Sequence, residues 1–158
     1  MEITTIKANI EHLALLTPLF DGYRVFYKQK SDIEKAKAFL KMRFELQDSV
    51  IFMAMQKAVD KELQEQSEAI GFTQLYPYFS SVTMERLYIL NDLFVLPSKR
   101  GLGMGELLLK KAQQFAIDIE AKGLDLSTAI DNPAQKLYER LGWKKDVDFY
   151  SYNWRTQL

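Results

Sequence analysis

The stretch "LFVLPSKRGLGMGELLLKKA", residues 93–112, joins an apolar strand pattern to an apolar helix pattern through a glycine-rich loop. Glycine stands at every second position after the basic pair Lys99–Arg100, at Gly101, Gly103 and Gly105. Glycines let backbone N–H groups approach a ligand closely, and the first turn of a helix adds unpaired N–H groups and the positive end of its dipole. The loop can therefore hold a phosphate or pyrophosphate, although an ordinary strand-to-helix turn could have the same sequence.

Two common nucleotide-binding patterns do not fit this loop. A P-loop needs Gly-Lys followed by Ser or Thr, which the sequence lacks. A dinucleotide fingerprint Gly-x-Gly-x-x-Gly would need a glycine at 106 or 108, where Glu106 and Leu108 stand. NTP hydrolysis and a Rossmann-type dinucleotide site are therefore rejected as interpretations of this stretch.

The segments around the loop predict the order β-α-α-β-β-β-α-β-α-β. Strands are predicted at 3–7, 49–56, 69–80, 84–97 and 124–130, with a final aromatic strand within 143–154. Helices are predicted at 10–29, 32–46, about 104–122 and 133–141, the last capped by Asn132 and closed by Gln135 in a capping box. The charged segment 57–68 is predicted to connect two strands of a hairpin. This order indicates an α/β fold with a mixed sheet, antiparallel early and parallel near the glycine loop.

Composition limits the classes of function. A chain of 158 residues has the size of one domain, so we expect a single domain over 1–158. No apolar run approaches the roughly 20 residues of a membrane span, and the N-terminus lacks a signal-peptide pattern, so we expect a cytoplasmic protein without a membrane partner. Twenty-one basic residues balance 21 acidic ones, which argues against nonspecific nucleic-acid binding. With no cysteine and a single histidine, His12, no metal site is expected.

The loop and a second segment together resemble a known family. Arg100-Gly101-Leu102-Gly103-Met104-Gly105 is similar to the Arg/Gln-x-x-Gly-x-Gly/Ala signature of the GCN5-related N-acetyltransferases, the GNAT family. Downstream, "AIDNPAQKLYERLGW" at 129–143 resembles the Asn, Tyr and Gly-aromatic pattern of the same family. The resemblance covers about residues 84–143 and implies the GNAT fold, in which helices flank both faces of a central, mostly antiparallel sheet.

The resemblance implies acetyl-CoA (coenzyme A) as the cofactor, with its pyrophosphate on the loop amides. Backbone groups of the preceding strand would face the thioester and the pantetheine arm, and an Asn and a Tyr follow on the second segment. The implied cofactor-binding residues are Leu93, Phe94, Val95, Arg100, Gly101, Leu102, Gly103, Met104, Gly105, Asn132 and Tyr138.

The implied reaction transfers the acetyl group directly to a primary amine. An alkyl ammonium has a pKa of about 10, so it must first lose a proton. Tyr138 matches the tyrosine that the family uses as general acid at the sulfur. "YILNDLFV" at 88–95 places Asn91 where polyamine-acetylating members have a proposed glutamate base, and Asn91 cannot take a proton. Deprotonation through water is therefore expected first, with Asp92 and Glu85 as alternative bases; Asp92 would need a bulge, because neighbours on a strand face opposite ways.

The acceptor is expected between the first two helices and the strand 84–96. Aromatic faces can hold a cationic amine, and Asp21 and Asp32 could pair with a second positive charge on the acceptor. The expected substrate-binding residues are Tyr23, Arg24, Tyr27, Tyr76 and Asn91.

Two classes of function stay open. The first is an N-acetyltransferase acting on a small amine, a polyamine or a lysine-like acceptor, or, within that class, on lysine side chains of proteins such as histones. The second is a noncatalytic acyl-CoA-binding sensor. The aromatic segment "DVDFYSYNW", 146–154, indicates an edge strand that could pair with a second copy of the chain. We therefore expect a homodimer.

Overall fold

The computed structural model describes residues 2–57 and 67–157 of the chain, and these contain a five-stranded mixed sheet. The strands lie in the order β1-β2-β3-β4-β5. Neighbours from β1 to β4 are antiparallel, whereas β5 is parallel to β4. The predicted α/β class is confirmed. The strand bounds are β1 Glu2–Lys7, β2 Val50–Lys57, β3 Ser67–Ser80, β4 Glu85–Val95 and β5 Gly123–Asp125.

The helices follow the predicted order but differ in their bounds. They are α1 Leu13–Phe26, α2 Ile33–Leu46, α3 Met104–Asp118 and α4 Gln135–Arg140. The predicted helix 10–29 is divided: Asn9 caps a short 3-10 turn at Ile10–His12 before α1 begins. Asp32, where the predicted helix 32–46 starts, caps α2 by accepting from the backbone N–H of Lys35. Most of the predicted hairpin connection at 57–68 lies outside the described residues.

One strand prediction is too long and another is wrong. The predicted strand 124–130 is paired only over Gly123–Asp125, and the predicted aromatic strand within 143–154 forms no strand. In that last segment Val147, Phe149 and Trp154 all have exposed fractions above 80% (83%, 81% and 82%). Aromatic side chains favour a strand only where they pack on a partner, and no such partner covers these residues in the described chain.

The sheet carries helices on both faces, and aromatic contacts hold them there. On one face, Phe20 and Tyr23 of α1 contact Phe72 of β3. On the other face, Phe115 of α3 contacts Phe52 of β2 and Tyr88 of β4. These two packing layers fix α1 and α3 against opposite sides of β4, the strand that leads into the glycine loop.

The chain divides into two compact units, one ending at Ser127 and the other beginning at Thr128. The sheet, α1, α2 and α3 belong to the first unit, and α4 with the exposed tail belongs to the second. No helix in residues 2–57 and 67–157 combines the length and the apolar character that crossing a membrane requires.

We predict that Gly71→Ala destabilises the fold. A Cβ at Gly71 would lie 2.8 Å from the backbone oxygen of Phe94 and 3.3 Å from Val95 Cγ2, so β4 would have to move. Overpacking of this kind costs about 1–3 kcal/mol, which denaturant unfolding would measure. Gly123→Ala is the matched control, because its Cβ would meet no atom within 4 Å. An unchanged unfolding midpoint for Gly71→Ala would contradict this account of the β3–β4 contact.

Candidate active site

The glycine loop has the backbone that its sequence predicted. Gly101 and Gly103 have φ angles of 76° and 80°, which glycine adopts at little cost. A Cβ at either position would meet no atom within 4 Å, so the loop opens onto free space. Gly103 precedes the first turn of α3 and supplies no side-chain cap. The first amides of α3, such as those of Met104 and Gly105, therefore suit an anion that approaches from outside.

The two basic residues before the glycines have different roles. Arg100 Nε donates to the backbone oxygen of Val95 at 3.0 Å, and its guanidinium lies over the rings of Phe26 and Phe94 at 5.0 and 5.6 Å. Arg100 thus holds the end of β4 against the end of α1. Lys99 Nζ instead donates to Gln56 Oε1 at 2.8 Å and pairs with Glu68 at 3.6 Å. The charge of Lys99 is thus directed to β2 and β3 and not to the loop.

The backbone edge of β4 beyond Ile89 has no paired strand on its outer side among the described residues. The parallel pairing with β5 covers Leu87 to Ile89 and stops there. Leu93 and Val95 stand on this unpaired stretch, while Phe94 is buried on the α1 face. An extended ligand arm could therefore bond to backbone groups of β4 in the place of a strand.

A β-bulge lies in the middle of β4, at Asn91. Gln74 pairs with Asp92, but the next residue, Leu75, pairs with Leu90, so Asn91 has no opposite residue on β3. A bulge of one residue reverses which face each later side chain takes. The reversal puts Asp92 on the α1 face, two residues before Phe94, which contacts Tyr23 there. The condition for Asp92 to face the expected acceptor side is thus met.

Asp92 is a buried carboxylate held by neutral donors. Its residue is 2% exposed. Gln74 Nε2 donates to Oδ2 at 2.6 Å and Asn91 Nδ2 donates to Oδ1 at 2.8 Å. Within the described part of the chain no Lys, Arg or His forms an ion pair with it. Burial raises the pKa of Asp92 above its usual value, although hydrogen bonds from Gln74, Asn91 and Tyr23 act in the opposite direction.

Tyrosines cover Asp92 from two elements. Tyr23 of α1 donates from its hydroxyl to the backbone oxygen of Asn91 at 3.3 Å and contacts Tyr27 with ring centroids 5.0 Å apart. Burial first, and then the negative charge of Asp92, raises the pKa of both Tyr23 and Tyr76. The structure therefore places three of the predicted acceptor-site residues, Tyr23, Tyr76 and Asn91, around Asp92, and Tyr27 contacts Tyr23.

Other candidates lie apart from this group. Arg24 is committed to Asp21 and to the backbone oxygen of Lys30. Glu85 is the exposed first residue of β4, seven residues from Asp92, or roughly 20 Å along a strand.

Asp21 and Asp32, which were expected to pair with a second positive charge of the acceptor, both have contacts within the chain. Asp21 is buried and accepts from the Asp32 backbone N–H, from the Ser31 hydroxyl and from Arg24, which together keep its pKa below the usual value. The Asp32 carboxylate accepts from the backbone N–H of Lys35 and so caps α2. Both carboxylates therefore serve the α1–α2 connection.

Sequence reasoning missed Gln74. This side chain is fully buried beside Asp92, and its Oε1 has no hydrogen-bond partner in the described residues. The signal that could have found it is a polar residue inside the buried run 70–75 of β3. A buried polar group of this kind requires an explanation, because it loses the hydrogen bonds that water would provide.

In the second unit, Asn132 and Tyr138 have local contacts of their own. Asn132 Oδ1 accepts from the Ala134 N–H at 2.9 Å, but α4 begins only at Gln135. Gln135 does not complete the predicted capping box; its Nε2 donates to backbone oxygens of Ala129 and Ile130. The Tyr138 ring lies 6.3 Å from that of Trp143, and Gly142 between them has a φ of 90°.

Comparison with known proteins gives a consistent result. Residues 48–145 match the family described as "Acetyltransferase (GNAT) domain". The uncharacterized N-acetyltransferase YhfO of Bacillus subtilis is 47% identical over 92% of this chain and 93% of its own length. The crystal structure of a probable acetyltransferase superposes with a TM-score of 0.84 at 38% identity, covering 99% of both chains.

A more distant structure shares the fold alone. The aminoglycoside N-acetyltransferase AAC(6')-Iy, crystallised in complex with CoA, has a TM-score of 0.74 at 19% identity and covers 98% of this chain and 96% of its own.

Proposed function

This chain belongs to the GNAT family of acetyltransferases, whose cosubstrate is acetyl-CoA, and on that premise we propose that it transfers the acetyl group directly to a primary amine. The acceptor is a small amine, a polyamine or a lysine-like side chain. The observation that carries the proposal is the course of β4, because one strand brings a buried carboxylate beneath tyrosines at Asn91–Asp92 and then leads into the open glycine loop. We take residues 1–158 as one N-acetyltransferase domain.

The first unit fits the cofactor by chemistry that its backbone can supply. The α3 N-terminus and the positive-φ glycines suit the pyrophosphate. The unpaired edge of β4 at Leu93 and Val95 suits the amide-containing pantetheine arm. A backbone N–H on this edge would also stabilise the negative charge that develops on the thioester oxygen during attack. We therefore assign the loop from Arg100 to Gly105 and the end of β4 to cofactor binding.

Proton transfer divides into two tasks. Asp92 takes up the proton that the acceptor ammonium loses, because burial makes this carboxylate a stronger base than an ordinary one. Its covered position favours transfer through an intermediary rather than direct contact. Tyr138 donates a proton to the departing thiolate. The roles of Tyr138 and Asn132 rest on the family resemblance alone.

The acceptor pocket that we propose is lined by the group around Asp92. Tyr23, Tyr27 and Tyr76 present aromatic faces that attract a cationic amine, and Asn91 offers its backbone carbonyl beside them. Arg24 lies outside this group, because it pairs with Asp21.

Thiol release from acetyl-CoA tests the function. We expect turnover with primary amines and none with alcohols of the same carbon skeleton, since the pocket contains a carboxylate to take up an ammonium proton. The panel should contain monoamines, diamines, polyamines and lysine-containing peptides. Turnover with peptides alone would assign a protein acetyltransferase. Binding of coenzyme A without turnover on any amine would contradict the proposal and favour a sensor.

Two variants separate cofactor binding from chemistry. Gly103→Val should weaken coenzyme A binding at least tenfold, because a β-branched residue resists a φ of 80° and its side chain blocks approach to the amides.

Tyr138→Phe should keep the affinity of coenzyme A but lower kcat by about 10²-fold, the usual effect of losing a general acid. Calorimetry and steady-state kinetics measure the two effects. Unaltered affinity in the first variant, or unaltered kcat in the second, removes that residue from its role.

We also propose a homodimer that uses the exposed segment 146–154. Val147, Phe149, Tyr150, Tyr152 and Trp154 present a large apolar surface there, and large exposed apolar patches mark interaction sites. We expect light scattering to give the mass of two chains; the mass of one chain at high protein concentration would contradict the dimer.

A further inference from the structure

Asp92 is too well covered to meet an acceptor directly. Asp92 is 2% exposed. Both of its carboxylate oxygens already accept from side-chain amides, one from Gln74 at 2.6 Å and the other from Asn91 at 2.8 Å. A general base must lie within hydrogen-bond reach of the proton that it removes, or reach it through a bridging group. The proposed reaction therefore needs a group that contacts both Asp92 and the pocket.

Tyr23 is the side chain in that position. It is only partly buried, unlike Asp92, and it belongs to the proposed acceptor pocket. The hydroxyl donates to the Asn91 backbone oxygen at a long 3.3 Å, next in the chain to Asp92, whose side chain faces α1. Hydrogen bonding between the two side chains also contributes to raising the pKa of Tyr23 and to lowering that of Asp92. Rotation about the phenolic C–O bond can turn the proton from the Asn91 carbonyl towards the Asp92 carboxylate.

The Tyr23 ring is fixed by its neighbours. Ring contacts surround it with centroid separations of 5.0 to 6.4 Å, namely with Phe20, Tyr27, Phe72 and Phe94. These contacts come from α1, β3 and β4, so the hydroxyl is held by the packed core rather than by a mobile loop. A phenol fixed in this way loses little entropy when it transfers a proton.

Building on the proposed function, we propose that Tyr23 is the proton shuttle between the acceptor amine and Asp92. The lone pair of the phenolic oxygen forms an O–H bond with a proton of the acceptor ammonium, whose N–H bond breaks. In the same step the original phenolic proton passes to a carboxylate oxygen of Asp92. The balance is an ammonium and a carboxylate giving a neutral amine and a carboxylic acid, with Tyr23 unchanged. The amine lone pair is then free to attack the thioester.

The other charged and titratable groups near Asp92 do not offer this path. Tyr76 of β3 is affected by the charge of Asp92 but shows no hydrogen bond to it among the described residues, and Tyr27 contacts Tyr23 with ring centroids 5.0 Å apart. Arg43 of α2 lies near Tyr76 but is paired with Asp48 at 2.9 Å and stacked over Phe39.

The two groups of the shuttle titrate far apart. Burial and the Asp92 charge raise the pKa of Tyr23, which stays neutral throughout the working range, and burial raises that of Asp92. The acid-side rise of kcat/KM with pH therefore follows the ionisation of Asp92. The midpoint of this rise should lie above the ordinary carboxylate pKa of about 3.9.

Tyr23→Phe tests the shuttle, with acceptors of different basicity. For an alkylamine, which is protonated at neutral pH, we expect kcat to fall by about 10²-fold. For a fluorinated alkylamine of similar shape, which is largely unprotonated, we expect less than a threefold fall, because no proton has to be removed before attack. Tyr88→Phe is the matched control, since it removes a phenolic oxygen on the opposite face of the sheet, and it should leave both rates unchanged.

Asp92→Asn provides a second, independent readout. It should show the same selective loss with the alkylamine and lack the acid-side rise of kcat/KM. Equal losses for both acceptors in Tyr23→Phe would overturn the shuttle and assign Tyr23 a packing role, and no loss at all would overturn it too. A wild-type protein that acetylates no amine would overturn the proposed function itself.

Discussion

One extra residue in β4 determines how the site is arranged. Without Asn91 as an unpaired residue, the side chain of Asp92 would face α3, where Tyr88 and Leu90 are buried. With it, the strand presents apolar residues to α3 before the bulge and a carboxylate to α1 after it. The sheet hydrogen bonds to β3 resume on both sides, so the change of face is made within a rigid element. A site built on such an element is held more precisely than one built on a loop.

The same strand links the acceptor side to the cofactor side. Arg100 returns from the loop to the Val95 carbonyl and to the rings of Phe26 and Phe94, and Tyr23 contacts Phe94 from α1. Phe94 therefore packs against both the proposed shuttle residue and the residue that opens the glycine loop. Gly71 pairs with this end of β4 and has no room for a methyl group, because its Cβ would lie 2.8 Å from the Phe94 backbone oxygen.

Local chemistry in the sequence was enough to predict the loop and the order of the elements from β1 to α4. Glycine spacing and helix start signals act within a few residues, so the loop glycines Gly101 and Gly103 and the start of the helix at 32 were accessible to prediction. The bulge was not, because a register shift depends on how β3 and β4 pair, and Asn91 has no property that shows it. Gln74 was missed for the same reason, since its role depends on facing Asp92 across the strands. The tail 146–154 shows the converse, because its aromatic residues favour a strand only when a partner is present.

Burial of Asp92 also links proton binding to folding. A carboxylate with a raised native pKa binds its proton more readily in the folded chain than in the unfolded one. Between the unfolded value and the native value, the folded state carries more bound protons, so the free energy of unfolding decreases as the pH rises. The ionised carboxylate that the proposed reaction requires is thus the form that the fold favours least. For this group, catalytic competence and conformational stability have opposite pH dependences, and neutral donors such as Gln74 and Asn91 limit the conflict without removing it.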